Sequence, residues 1–247
     1  MNNKMIDLCE VCKVGCLSKV ELLISQGVDI NKKNNDGITP LNIACKHSRY
    51  NIVELLISQG VGINKKNDDG MTPLHTACSY TRYNIAKLLI SHGANVNEKD
   101  DAGRTPLYFA CAYANCEIAE LLLLHSADVD EKYDHGRTLL YYACRNMYPT
   151  LAKLLISYGA DIDMKLHNGF TPLTYMCFRG KYDFVELLMS CGANINNNEK
   201  TSTTDVRCSR YHDVANFLRK EMKKRIYMIS LIVNRDVLKY YIIKKID

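Results

Sequence analysis

Cys9, Cys12 and Cys16 lie at i, i+3 and i+7, and with His47 as a fourth ligand they would resemble half of a zinc site. A structural zinc site needs a complete thiolate or imidazole set, usually supplied as paired ligand motifs, and no second Cys-x-x-Cys follows. The same spacing is one face of a helix, so these cysteines read as packing residues and no metal or cofactor is expected. The chain has eleven cysteines and seven histidines from which to assemble a nucleophile and base. His75 suits a structural role at a helix start, while His92, His125 and His135 fall at helix ends or loop tips. No Gly-x-Ser-x-Gly, phosphate-binding Gly-rich loop or His-Glu-x-x-His occurs, so no enzymatic activity is expected.

The elements that carry these residues recur at one step. Gly37, Gly70, Gly103, Gly136 and Gly169 are 33 residues apart, as are Thr39, Thr72, Thr105, Thr138 and Thr171. Six cysteines, Cys12, Cys45, Cys78, Cys111, Cys144 and Cys177, keep the same register. Self-similarity at such a period marks a stack of supersecondary units. Neighbours in the cysteine column would then be separated by the ~8–10 Å of packed helices, too far for the ~4.4–6.8 Å that a disulfide requires. They read as small, reduced core residues.

One unit, residues 69–97, can be built from its own chemistry. Asp69-Gly70 makes a turn, Thr72 caps a helix and Pro73 occupies its first position, where no N–H is needed. The first helix is predicted over about Pro73–Ser79. A second, over about Asn84–His92, places Ile85, Leu88 and Leu89 on one face and stops at Gly93. A short extended hairpin over Asn95–Asp100 then leads to the next turn. One unit cannot cover its own apolar face, so a ladder of paired leucines, each Leu contributing roughly 1.5–3 kcal/mol, must be buried by stacking.

DGMTPLHTAC at 69–78 followed by NIAKLLISHGANVN at 84–97 resembles the ankyrin repeat, and the resemblance extends over about 1–198. It implies an all-α ankyrin-repeat solenoid of stacked helix-turn-helix units with short β-hairpin loops. The expected organisation is a capping half-repeat at 1–33 and five repeats at about 34–66, 67–99, 100–132, 133–165 and 166–198. A degenerate capping repeat at 199–225 and a basic helical tail at 226–247 follow. Departures from the family pattern are local: Leu139 stands for proline, Ser126 for the glycine that ends the second helix, and Gly62 for aspartate. Pro149 falls at the first turn of a second helix and breaks nothing.

The resemblance further implies a concave surface, made of hairpin tips and the ends of the first helices, that grips a partner protein. Carried onto this chain, that surface comprises Lys66, Met71, Tyr80, Lys99, Arg104, Tyr113, Lys132, His135, Arg137, Arg145, Lys165, Phe170, Phe178 and Arg179. Lys33, Lys66, Lys99, Lys132 and Lys165 share one hairpin position and form a ladder of five positive charges, while the aromatic and arginine members are types enriched in binding hot spots.

The net charge is +5, yet from Arg219 onward nine Lys or Arg face three acidic residues, so the excess lies in the tail and the repeats are near neutral. Basic and aromatic residues there, including Lys223, Lys224, Arg225, Tyr240 and Tyr241, give nucleic-acid or anionic-membrane contact as one alternative function. Abundant Asn, Lys, Ile and Tyr, with the Ile-Ser-x-Gly-Ala style of the repeats, also look like ankyrin proteins of large DNA viruses, including poxviruses. Those often carry a C-terminal F-box-like segment, so a ubiquitin-ligase adaptor is a second alternative, although this chain has no proline after Pro172. No apolar window is long enough for a membrane span, and MNNKMIDLCE has no signal-peptide core. The expectation is therefore a monomeric, cytoplasmic scaffold with a protein partner, with nucleic acid not expected as the main one.

Overall fold

The computed structural model of the chain describes residues 7–133, 136–165 and 169–194, together with Lys220. The expected capping repeat at 199–225 and tail at 226–247 therefore lie outside the described residues, Lys220 apart. The chain divides into two compact units, Met1–Asp161 and Ile162–Asp247.

Among the described residues the first unit holds ten helices in five pairs: α1 (Leu8–Val14) with α2 (Leu17–Ser25), α3 (Pro40–Lys46) with α4 (Tyr50–Ser58), α5 (Pro73–Ser79) with α6 (Tyr83–Ser91), α7 (Pro106–Ala112) with α8 (Cys116–Leu124), and α9 (Leu139–Arg145) with α10 (Pro149–Ser157). The described residues of the second unit include α11 (Pro172–Phe178) and α12 (Tyr182–Ser190), packed on each other. In the first unit α1, α3, α5, α7 and α9 pack in sequence as one layer, and α2, α4, α6, α8 and α10 as another. α5 runs over the predicted residues, and α6 begins and ends one residue earlier than predicted.

Between the layers lie repeating columns of fully buried side chains. Leu41, Leu74, Leu107 and Leu140 come from the first helices, and Leu56, Leu89, Leu122 and Leu155 from the second. The leucine pairs divide: the second member of each is core, whereas Leu55, Leu88 and Leu154 are only half-buried and Leu22 is 56% exposed. The cysteine column is buried and free, and burial raises the Cys12, Cys144 and Cys177 thiols to about 12, so at neutral pH they are neutral packing groups. Cys9 joins them, its thiol donating to the Ile38 carbonyl at 3.5 Å.

The loops are built by side chains. Asn34 accepts from the Asp36 and Ile38 amides at 3.1 and 2.9 Å, Asn67 from Asp69 and Met71 at 3.1 and 2.8 Å, and Asp100 from Ala102 and Arg104 at 3.0 and 2.7 Å. Because these acceptors satisfy the turn, the hairpins stay short; no strand occurs among the described residues, and the Tyr133–Arg137 bridge is isolated. A second set reaches from one repeat to the next. The Gly62, Asn95, Asp128 and Asp161 amides donate to the side chains of Asn31, Asn64, Asn97 and Asp130, each 31 residues earlier, at 2.8–2.9 Å.

Between the paired helices the chain turns through left-handed backbone at Gly15, Ser48, Thr81, Ala114, Met147 and Gly180, again 33 apart, with φ between 51° and 90°. Only the first and last are glycine, the residue that adopts this region without strain. Ser126 takes the expected glycine conformation at the end of α8, with φ 65°.

Candidate protein-binding surface

From α3 onward each first helix starts at a buried threonine, and the side chain three residues on decides how that start is held. In α3, Asn42 donates to the Met71 carbonyl of the next loop at 3.2 Å and to Thr76 Oγ1 at 2.9 Å. In α5, His75 Nδ1 accepts from the Thr72 amide at 3.1 Å, which leaves the proton on Nε2 to donate to the Arg104 carbonyl at 3.0 Å. Burial lowers the His75 pKa, so the ring is a neutral linker between repeats rather than a base.

In α7 the same position is Tyr108, and the local chemistry changes. Thr105 makes no side-chain cap to its helix; its hydroxyl instead bonds the Tyr133 hydroxyl at 2.6 Å. Tyr133 occupies the position of Asp100 in the preceding repeat, so it cannot accept from the turn amides as Asp100 does. The Arg137 amide donates to the Tyr133 carbonyl at 3.0 Å in compensation. The Tyr108 ring lies 4.9 Å from Tyr133, 5.6 Å from Phe109 and 6.1 Å from Tyr142, all in tilted or edge-on arrangements favoured by aromatic pairs. Tyr108, Tyr133, Tyr141 and Tyr142 thus wall a cleft of about 210 Å³ that Arg137 and Arg145 also line. Burial pushes the Tyr133 and Tyr142 phenols up, so both are neutral donors or acceptors.

The predicted partner-binding residues fall into distinct groups. Lys66 bonds Glu98 and the Lys99 carbonyl, both at 2.8 Å, and Lys99 pairs with Glu131 at 2.9 Å. Lys33 likewise bonds Asp68 at 2.7 Å. Three rungs of the predicted ladder are therefore inter-repeat ion pairs rather than free positive charges; Lys132 and Lys165 are exposed. Arg104 is held by Asp100 at 2.7 Å and lies 4.9 Å from the Phe109 ring centre, and Met71 is half-buried with its carbonyl bonded to Asn42. Tyr80 and Tyr113, one repeat apart just beyond α5 and α7, are 41% and 59% exposed, with the Lys46 ammonium 5.3 Å over the Tyr80 ring. Arg145 ends α9 and is exposed. In the second unit, Phe170 and the 57% exposed Phe178 have ring centres 5.8 Å apart, and Arg179 bonds the Tyr175 hydroxyl at 2.9 Å. His135 lies outside the described residues.

The family model described as "Ankyrin repeats (3 copies)" matches residues 8–100, 94–166 and 149–227. The chain belongs to the ankyrin repeat family. Its all-α helix pairs are those of ankyrin repeats, which generally serve protein–protein interaction and are typically non-catalytic scaffolds. No curated protein matches the chain. Among the described residues no helix is long and apolar enough to cross a membrane.

Sequence reasoning missed Tyr108, Tyr133, Tyr141 and Tyr142. A signal was present: three of these tyrosines stand in columns that hold Asn42 and His75, or Asn34, Asn67 and Asp100, in other repeats.

Proposed function

We propose that this ankyrin repeat protein is a non-enzymatic scaffold that holds a partner protein on the surface made by its loops and the C-terminal ends of its first helices. The supporting observation is the pair of exposed tyrosines, Tyr80 and Tyr113, at one register position of successive repeats. Large amphipathic side chains exposed in a row have no role in the core, and Tyr is enriched among residues that carry interface energy. The reading as an interaction factor of a large DNA virus is narrower and rests on composition and repeat style.

The test is site-specific photo-crosslinking in native lysate from Tyr80, Tyr113 and, as a control on α10, the exposed Lys153. The expected result is one common product from both tyrosine positions and none from Lys153. Absence of a product at both tyrosine positions, or equal products from all three, overturns the proposal.

A further inference from the structure

We propose that the tyrosine-walled cleft between α7 and α9 is the subsite that accepts an acidic segment of the partner, one apolar or aromatic side chain entering between the rings and an adjacent Asp or Glu carboxylate bonding Arg137 and Arg145. This subsite rests on the surface proposed above and assigns it a ligand chemistry.

Three observations carry it. The first is the contrast between two equivalent arginines. Arg104 is neutralised by the buried Asp100 four residues before it, at 2.7 Å. One repeat later Arg137 finds Tyr133 in that place, and among the described residues no carboxylate pairs with Arg137 or with Arg145. Two guanidiniums at one cleft that no described carboxylate pairs present a positive site that a carboxylate complements.

The second is the floor. Tyr108 and Tyr141 stand where Asn42 and His75 stand in other repeats and line the cleft, with Arg137 6.0 Å over the Tyr141 ring. A guanidinium held over an aromatic face keeps its donors directed outward while its apolar faces are covered. The third is size. About 210 Å³ is below the ~300–1,000 Å³ of sites that enclose a drug-sized ligand, and suits one inserted side chain. A carboxylate rather than a phosphate is assigned because a singly charged group loses less hydration than a dianion on approaching four phenol rings.

The experiment uses the full chain and defined probes. Displayed heptapeptides are selected on the wild-type protein, and the selected sequences are measured as fluorescent peptides against wild type, Arg137→Gln/Arg145→Gln, Tyr142→Ala and Lys153→Gln. Circular dichroism confirms that each variant is folded. The expected sequences place Asp or Glu within two residues of Leu, Phe or Tyr. Affinity should fall about tenfold or more with the arginine pair removed, and equally when the peptide acid becomes its amide. Tyr142→Ala should weaken apolar anchoring, and Lys153→Gln should change nothing. Acidic peptides bound equally by wild type and the arginine variant overturn the subsite, as does recovery of no acidic-apolar sequence. So does a phosphotyrosine peptide binding more than tenfold tighter than its carboxylate counterpart. In each of these cases persistent crosslinking from Tyr80 and Tyr113 leaves the broader surface standing, whereas its loss removes both.

Discussion

Phenylalanine at position 133 removes a single oxygen from the interior and tests how the cleft is assembled. The Tyr133 hydroxyl lies 2.6 Å from Thr105 Oγ1, with Tyr133 and Thr105 both buried, and Thr105 makes no cap to α7 in exchange. Tilted packing against Tyr108 at 4.9 Å holds the ring in place, so the shape survives and only the hydrogen bond is lost. A buried hydroxyl left without its partner costs about 1–3 kcal/mol, so Tyr133→Phe and Thr105→Val should each destabilise by that amount. The double variant, with neither polar group present, should cost much less than the sum, giving a coupling of about 1–2 kcal/mol. Urea titrations followed by far-UV circular dichroism, with the slope unchanged, would measure this. Single variants each within about 0.5 kcal/mol of wild type, or an additive double variant, would refute the account. Alkali supplies a second reading: because burial raises the Tyr133 pKa, its contribution is present below about pH 10, where an unfolded tyrosine begins to ionise, and is lost as pH rises further. Tyr133→Phe should remove that part of the alkaline decline.

On the acid side the His75 pKa is lowered by burial, so its contribution is present above about pH 6.5 and lost as pH falls below it; His75→Asn, which copies Asn42, should flatten the decline in an acid titration of stability. Leu122→Ala should cost about 2–5 kcal/mol in urea denaturation because Leu122 is fully buried, whereas Lys99→Ala should cost under about 1 kcal/mol because its ion pair is half exposed. Ser126→Gly should raise stability by about 1 kcal/mol, because glycine holds a φ of 65° without strain. Brief alkylation and peptide mapping should modify Cys16, whose pKa is lowered by the Ser18 hydroxyl, before any column cysteine.

The scaffold was legible because its residues act locally. Thr72, Pro73 and Gly93 specify caps and stops whatever surrounds them, so α5 and α6 could be placed within a residue of their observed ends. Pro149 begins α10 for the same reason. The surface was less legible because its chemistry joins residues from different repeats. The lysine column suggested free charge, but Glu98 and Glu131 lie 32 residues after their lysines and Asp68 lies 35 after its own, so no single period exposes the pairing. The cleft was hidden by the repeat itself: Tyr108 and Tyr133 stand in columns that are framework elsewhere, and their change of role shows only when ring meets ring. The left-handed turn column escaped notice because Ser48, Thr81, Ala114 and Met147 carry no glycine signal.

The bonds from Asn31, Asn64, Asn97 and Asp130 to amides 31 residues later give the first unit a direction. In every rung the acceptor side chain is translated before the amide it will hold. At roughly 5–20 residues per second, a ribosome releases the next repeat some seconds after its template is complete. Each new loop therefore emerges after the side chain that accepts from its amide. Truncation is correspondingly unequal: removing a repeat from the front strips the following loop of its acceptor, whereas removing the last one leaves every remaining amide held.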